Sequence, residues 1–154
     1  MAKKAVEMTS MALRAYGPTI LRSKYYDTAA KKYLDRLQAA PDERHSGVED
    51  PHRTGRALDI ILLSTVDYEK LFADQLVELF LDMREDMQWS AVIYNRREWN
   101  AKGAVRDRVW KKGIKEDPYS FEHISHIHIE WPKSKADRGD FWIFLTEAAR
   151  QKFA

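Results

Sequence analysis

Within the segment SHIHIEW, residues 125–131, polar and apolar side chains alternate without a break from His126 to Trp131. Alternation with period two marks a strand that is buried on one side only. It sends His126, His128 and Glu130 to one face and Ile127, Ile129 and Trp131 to the other. Such a strand needs a core beneath its apolar face and presents two imidazoles and a carboxylate on the opposite one. Upstream, HRTGRALD, residues 52–59, runs into ALDIILLS, residues 57–64, which reads as a second, more deeply buried strand. There Asp59 shares a face with Ala57 and Ile61, while Leu58, Ile60 and Leu62 point the other way.

Outward from these two strands, residues 67–87 carry apolar side chains at helical spacing: Tyr68, Leu71, Phe72, Leu76, Leu79, Phe80 and Met83. Residues 4–16 predict a first helix ended by Gly17 and Pro18, and residues 26–39 a second. WSAVIY, residues 89–94, predicts another strand, and residues 104–111 a weaker one. After residue 131, either a short helix starts at Asp140, or a strand runs through FWIFL with a final helix from Thr146. Residues 41–56, with Pro41, Gly47, Pro51 and Gly55, form a long polar loop, and long loops in small domains are usually functional or disordered. Helices set apart from a small, antiparallel sheet make the class α+β.

The chain has 154 residues, the size of one domain with one core. We expect helices over about 1–40, a metal-site core over about 44–131 and a C-terminal extension over 132–154. Twenty-six basic and 24 acidic side chains nearly balance, so net charge does not call for nucleic acid. Cysteine is absent, which excludes thiolate metal sites, disulfides and cysteine nucleophiles. No apolar run approaches the ~20 residues that cross a bilayer, so membrane insertion is not expected. Glu7 and Arg14 interrupt the apolar start, so no Sec-type signal is expected and the chain is read as made in the cytoplasm.

His52 and Asp59, joined by a distant histidine, supply three nitrogen and oxygen ligands for one tetrahedral zinc ion. A fourth position left to water is the arrangement of a catalytic zinc. Gly55 lets the chain turn between the two, and Ala57 leaves room beside the metal. A carboxylate within an apolar strand is costly unless paired or bound to a cation. The plain alternatives are a strand-end cap for Asp59, a loop role for His52 and a solvated strand face for His126 and His128. Four specified residues at fixed spacing, together with a separate HxH strand, favour the metal.

HRTGRALD followed by HIH resembles the LAS superfamily of zinc peptidases, which includes lysostaphin-type enzymes, D-alanyl-D-alanine peptidases and the hedgehog signalling domain. The HxxGxAxD pattern is complete at its fixed positions, and VIYNRREW followed by HISHIH resembles a bacterial and phage branch on the D-alanyl-D-alanine side. The resemblance covers about residues 44–131. It implies a hedgehog/D-Ala-D-Ala-peptidase-like fold, with zinc held by His52, Asp59 and His128. It also implies hydrolysis of an amide in peptidoglycan stem peptides, the metal polarising the carbonyl and lowering its water's pKa to ~7. Many relatives carry Glu or Asp three residues before the last ligand, where this chain has Ser125. By the resemblance, the first histidine of the HxH pattern assists the water, which makes His126 the first candidate for proton transfer; His123 matches a histidine of the YNRR-containing branch, and Glu122 in the preceding loop is the third candidate. Arg53, Arg56, Arg96 and Arg97 are candidates to bind a substrate carboxylate. Tyr94, Asn95 and Trp99 are candidate cleft-wall residues, and Asp50 stands where relatives often carry serine.

Without a signal, such an enzyme reaches the wall or periplasm after lysis, as a phage endolysin does, or by injection through a secretion-system partner. Two rivals follow from the same residues. One is a zinc module without catalysis. The other is a metal-dependent nuclease, suggested by the basic, tryptophan-bearing stretch RREWNAKGAVRDRVWKKGIK.

Overall fold

The computed structural model describes residues 3–20, 51 and 54–153; of these, the side chains at 14–20, 68 and 153 are left aside. His52, Arg53 and the expected helix over 26–39 lie outside the described residues.

The described chain is α+β. Helix α1 (Lys4–Ile20) precedes strand β1 (Ala57–Ile61). Then come α2 (Asp67–Asp82), the short α3 (Arg84–Met87), β2 (Ala91–Tyr94), β3 (Arg97–Asn100) and β4 (Val105–Asp107). A one-turn helix α4 (Pro118–Phe121) leads into β5 (His126–Glu130), and α5 (Trp142–Phe153) ends the described chain. The five strands form an open sheet in the order β1-β5-β2-β3-β4, with every neighbouring pair antiparallel.

The strands that carry the ALD and HIH segments are neighbours. Ala57 stands opposite Glu130, Asp59 opposite His128 and Ile61 opposite His126. The period-two pattern sets this register, because a slip of one residue would turn buried Ile60, or Ile127 and Ile129, to the outer face. On the inner face, Leu58, Ile60, Val92, Tyr94, Ile127, Ile129 and Trp131 are fully buried. Phe72, Leu76, Leu79 and Phe80 of α2, Leu13 of α1 and Leu145 of α5 join them in one core. Each such side chain stabilises the fold by roughly 1.5–3 kcal/mol on burial. Buried indoles keep their polar atoms bonded: Trp89 donates to the Phe80 carbonyl and Trp131 to the Met87 carbonyl, each at 2.9 Å.

Several boundaries differ from the sequence reading. α1 continues to Ile20, past Gly17 and Pro18; a proline in the last turn costs one backbone hydrogen bond and leaves little helix beyond it to break. The helix expected over 67–87 is broken at Met83 (φ −96°, ψ 9°) into α2 and α3, and Gln88 ends α3 in the left-handed region. Leu71, assigned to the apolar stripe, is 63% exposed, and the stripe is carried by Phe72, Ala73, Leu76, Val77, Leu79 and Phe80. Strand β3 and helix α4 were not anticipated. REWN lacks the β-branched residues that mark strands, and it pairs because it returns from a tight turn after β2. Of the two readings of the C-terminal segment, the helix holds: FWIFL is not a strand, because its residues 142–145 begin α5.

Candidate metal and proton-transfer site

The outer face of β1 and β5 gathers the polar residues of both motifs. Asp59 Oδ1 lies 3.2 Å from His128 Nδ1 and 3.8 Å from His126 Nε2. On the far side of the same ring, His128 Nε2 lies 2.7 Å from Glu130 Oε2. His128 is therefore held between two carboxylates, with only 8% of its side chain exposed. Burial disfavours its cation, but the hydrogen bonds and negative charges of Asp59 and Glu130 outweigh that and raise its pKa to about 9.

These atoms suit a zinc ligand pair. Two ligands each ~2.0–2.1 Å from a tetrahedral zinc stand about 3.3 Å from one another, close to the Asp59–His128 separation. Glu130 on Nε2 fixes the tautomer that leaves Nδ1 to coordinate, as a carboxylate behind a metal-bound histidine does. Among the described residues, no group of three or more His, Asp or Glu side chains is arranged to hold a metal ion. The third side chain of the expected set, His52, lies outside them. Pro51 before it and the chain from Thr54 after it are described: the Arg56 amide donates to the Pro51 carbonyl at 2.7 Å, and Gly55 turns with φ 73°.

His123 completes a three-imidazole cluster. Its ring centroid lies 4.6 Å from that of His126 and 5.6 Å, edge-on, from that of His128. Its Nδ1 is 3.2 Å from the Phe121 carbonyl and must donate to it, which leaves Nε2 as the lone-pair nitrogen. Burial, followed by the neighbouring His126 and His128, lowers its pKa to about 3, so the ring is neutral. His126 contacts the Ser125 hydroxyl through Nδ1 at 3.0 Å.

Glu122, the third proton-transfer candidate, is committed elsewhere. One carboxylate oxygen accepts from the Trp110 amide at 3.0 Å and the other from Arg96 Nε at 3.1 Å. The Trp110 bond holds its carboxyl below the usual range against the opposing effect of burial, with Arg96 contributing further. Arg96 thus pairs with Glu122, while Arg97 sits over the Trp99 ring at 5.2 Å. Arg56 spends Nη1 on the Trp131 carbonyl at 2.8 Å and Nε on the Thr54 hydroxyl at 2.9 Å, a tie between the ends of β1 and β5. Arg53 lies outside the described residues. Of the expected wall residues, Tyr94 and Trp99 are buried in the core. In the basic stretch, Arg106 and Arg108 both pair with Glu98.

Three residues at this site adopt left-handed backbone without being glycine: Asn95 (φ 47°), Arg96 (φ 67°) and His123 (φ 51°). Asn and His tolerate that region better than most residues, but Arg does not. Sequence reasoning missed this feature, although the Asn at the head of NRR, following a strand, is a hairpin-turn signal.

Compared with known proteins, the chain matches no family model, no curated protein and no solved structure.

Proposed function

We propose that this chain is a zinc-dependent peptidase that hydrolyses an amide of peptidoglycan stem peptides, with one zinc ion held by His52, Asp59 and His128. The finer fold assignment, to the hedgehog/D-Ala-D-Ala-peptidase type, belongs to the same proposal. Its main support is the apposition of Asp59 Oδ1 and His128 Nδ1 at 3.2 Å, from strands that meet only in the folded chain. The spacing HxxGxAxD and the HxH strand agree with it.

When bound, zinc would polarise the amide carbonyl and acidify a water molecule. The rest falls to this chain's own side chains. Glu130 keeps the His128 proton on Nε2 and the ring fixed. With Ser125 in place of an acid and both Glu122 oxygens occupied, proton transfer is left to imidazole. His126, 3.8 Å from Asp59, takes the proton from water and returns it to the leaving amine. His123 packs on His126 as a neutral ring, so charge gained by His126 is not opposed by a second cation. Arg96, in its pair with Glu122, borders this face, whereas Arg97 stands opposite Tyr94 and over Trp99, on the core side of the sheet, and takes no part in the proposed substrate contact.

No helix among the described residues is long and apolar enough to cross a membrane. Access to the wall by lysis or injection remains part of the proposal. The test is incubation of the zinc-loaded protein with purified sacculi, with and without chelator, reading new amino termini. Release that depends on zinc supports the proposal. Zinc bound with the wall left intact would point instead to a non-catalytic zinc module, and plasmid nicking with zinc, magnesium or manganese to a nuclease.

A further inference from the structure

The left-handed residues Asn95, Arg96 and His123 lie in two separate segments that are bonded to each other. The Asn95 amide donates to the His123 carbonyl at 2.9 Å, and the Arg96 amide to the Glu122 carbonyl at 2.8 Å. The Arg96 side chain then reaches the Glu122 carboxylate, whose second oxygen takes the Trp110 amide. Arg108 closes the assembly. Its amide donates to the Arg96 carbonyl at 2.7 Å, its Nε donates to the Phe121 carbonyl at 2.7 Å, and its guanidinium lies 4.2 Å from the centre of the Phe121 ring. That Phe121 carbonyl is the one His123 Nδ1 bonds. The β2–β3 turn, the end of β4 and residues 121–123 are therefore stitched together at the base of the His123 ring. Backbone strain of this kind persists only where the surroundings over-determine it, and it collects at functional sites.

We propose that the Arg96–Glu122 pair, locked by Trp110 and Arg108, is a brace that holds His123 in its left-handed conformation, with its ring against His126. Glu122 is then a positioning residue that acts through His123 and not the group that exchanges protons with substrate. The proposal rests on the reading of the histidine face as a hydrolytic site, but its first test does not need activity.

In the metal-free protein, long-range nitrogen–proton NMR of the histidine rings reads the His123 tautomer, and nuclear Overhauser contacts read its distance to His126. The wild type should show a neutral ring protonated at Nδ1 and in contact with His126. Glu122→Ala should lose both signatures while keeping the wild-type zinc content. A Glu122→Ala protein that retains them overturns the brace, whether or not the wild type cleaves anything. If the wild type hydrolyses sacculi, Glu122→Ala added to His123→Asn should lower kcat by less than about twofold beyond His123→Asn alone. A further loss of a hundredfold would mean that Glu122 acts directly and would also overturn the proposal. Should Glu122→Ala fail to fold, Glu122→Gln decides. Removing a proton-transfer group costs roughly 10²–10⁴ in rate, whereas the brace predicts less than tenfold, with the His123–His126 contact kept.

Discussion

Glu130 Oε2 and His128 Nε2 lie 2.7 Å apart on a single strand, at positions whose side chains share a face, while Asp59 meets the other nitrogen of the same ring at 3.2 Å. One imidazole is thus oriented from both ends. The contact to Glu130 fixes which nitrogen is offered to a metal, so Glu130 should matter to zinc without touching it. Glu130→Gln is expected to weaken zinc binding about 10–100-fold, the usual effect of losing a carboxylate behind a metal-bound histidine. Competition against a chromophoric chelator measures this directly. An unchanged affinity would remove Glu130 from the site.

The same arrangement makes zinc binding depend on pH. In the metal-free protein His128 carries a proton up to about pH 9, and coordination requires that Nδ1 give it up. Apparent zinc affinity should therefore rise about tenfold per pH unit from 6.5 towards 9 and level off above. Chelator competition at three pH values in that window tests the slope. A flat profile would mean that zinc does not use His128.

The sheet that builds this site was legible because its apolar alternation is strong. Ile127 and Ile129 on β5, Trp131 just after it, and Leu58 and Ile60 on β1 are fully buried as the spacing requires, and this alone puts Asp59, His126, His128 and Glu130 on the outer face. Antiparallel pairing of β1 with β5 was not legible, since no local pattern states which strands meet. Nor was the fate of the charged residues. Arg56, Arg96 and Glu122 have the chemistry of substrate or proton-transfer groups, yet partners such as Trp131 for Arg56, Trp110 for Glu122 and the Arg96–Glu122 pair itself come from other segments. Strand β3 was hidden because REWN is held by its turn and by cross-strand pairing with β2 rather than by its own propensity.

His123 and His128 give the metal-free protein opposing pH slopes. His128 has a folded pKa above the ordinary ~6.5, so its stabilisation is complete below that value and is lost as pH rises through about 9. His123, neutral in the fold with a pKa of about 3, behaves in reverse. Below pH 6.5 the unfolded chain takes up a proton that the folded chain refuses, so stability falls towards pH 3. These two groups place the stability maximum near pH 6.5. At pH 5, above the carboxylate range, His123 alone should cost on the order of 2 kcal/mol. Denaturant unfolding with chelator present checks this at pH 5 and 6.5. His123→Asn, which keeps a side chain tolerant of left-handed backbone, should remove most of that difference, and a variant that keeps the wild-type acid slope would assign it elsewhere.

Metal binding and proton transfer should separate by mutation. Asp59→Ala removes the oxygen that faces His128 Nδ1. It leaves too few ligands for a tetrahedral site, so purified protein should retain well under a tenth of an equivalent of zinc and no hydrolysis. His126 stands 3.8 Å from that oxygen and is expected to serve the water rather than the metal. His126→Ala should therefore keep about one equivalent of zinc and lose roughly 10²–10⁴ in hydrolytic rate, the range for a proton-transfer group. Metal content by elemental analysis, run beside the sacculus assay on the same preparations, distinguishes the two effects. If His126→Ala loses its zinc, both histidines of the HxH strand are ligands, and proton transfer must then be sought at His123.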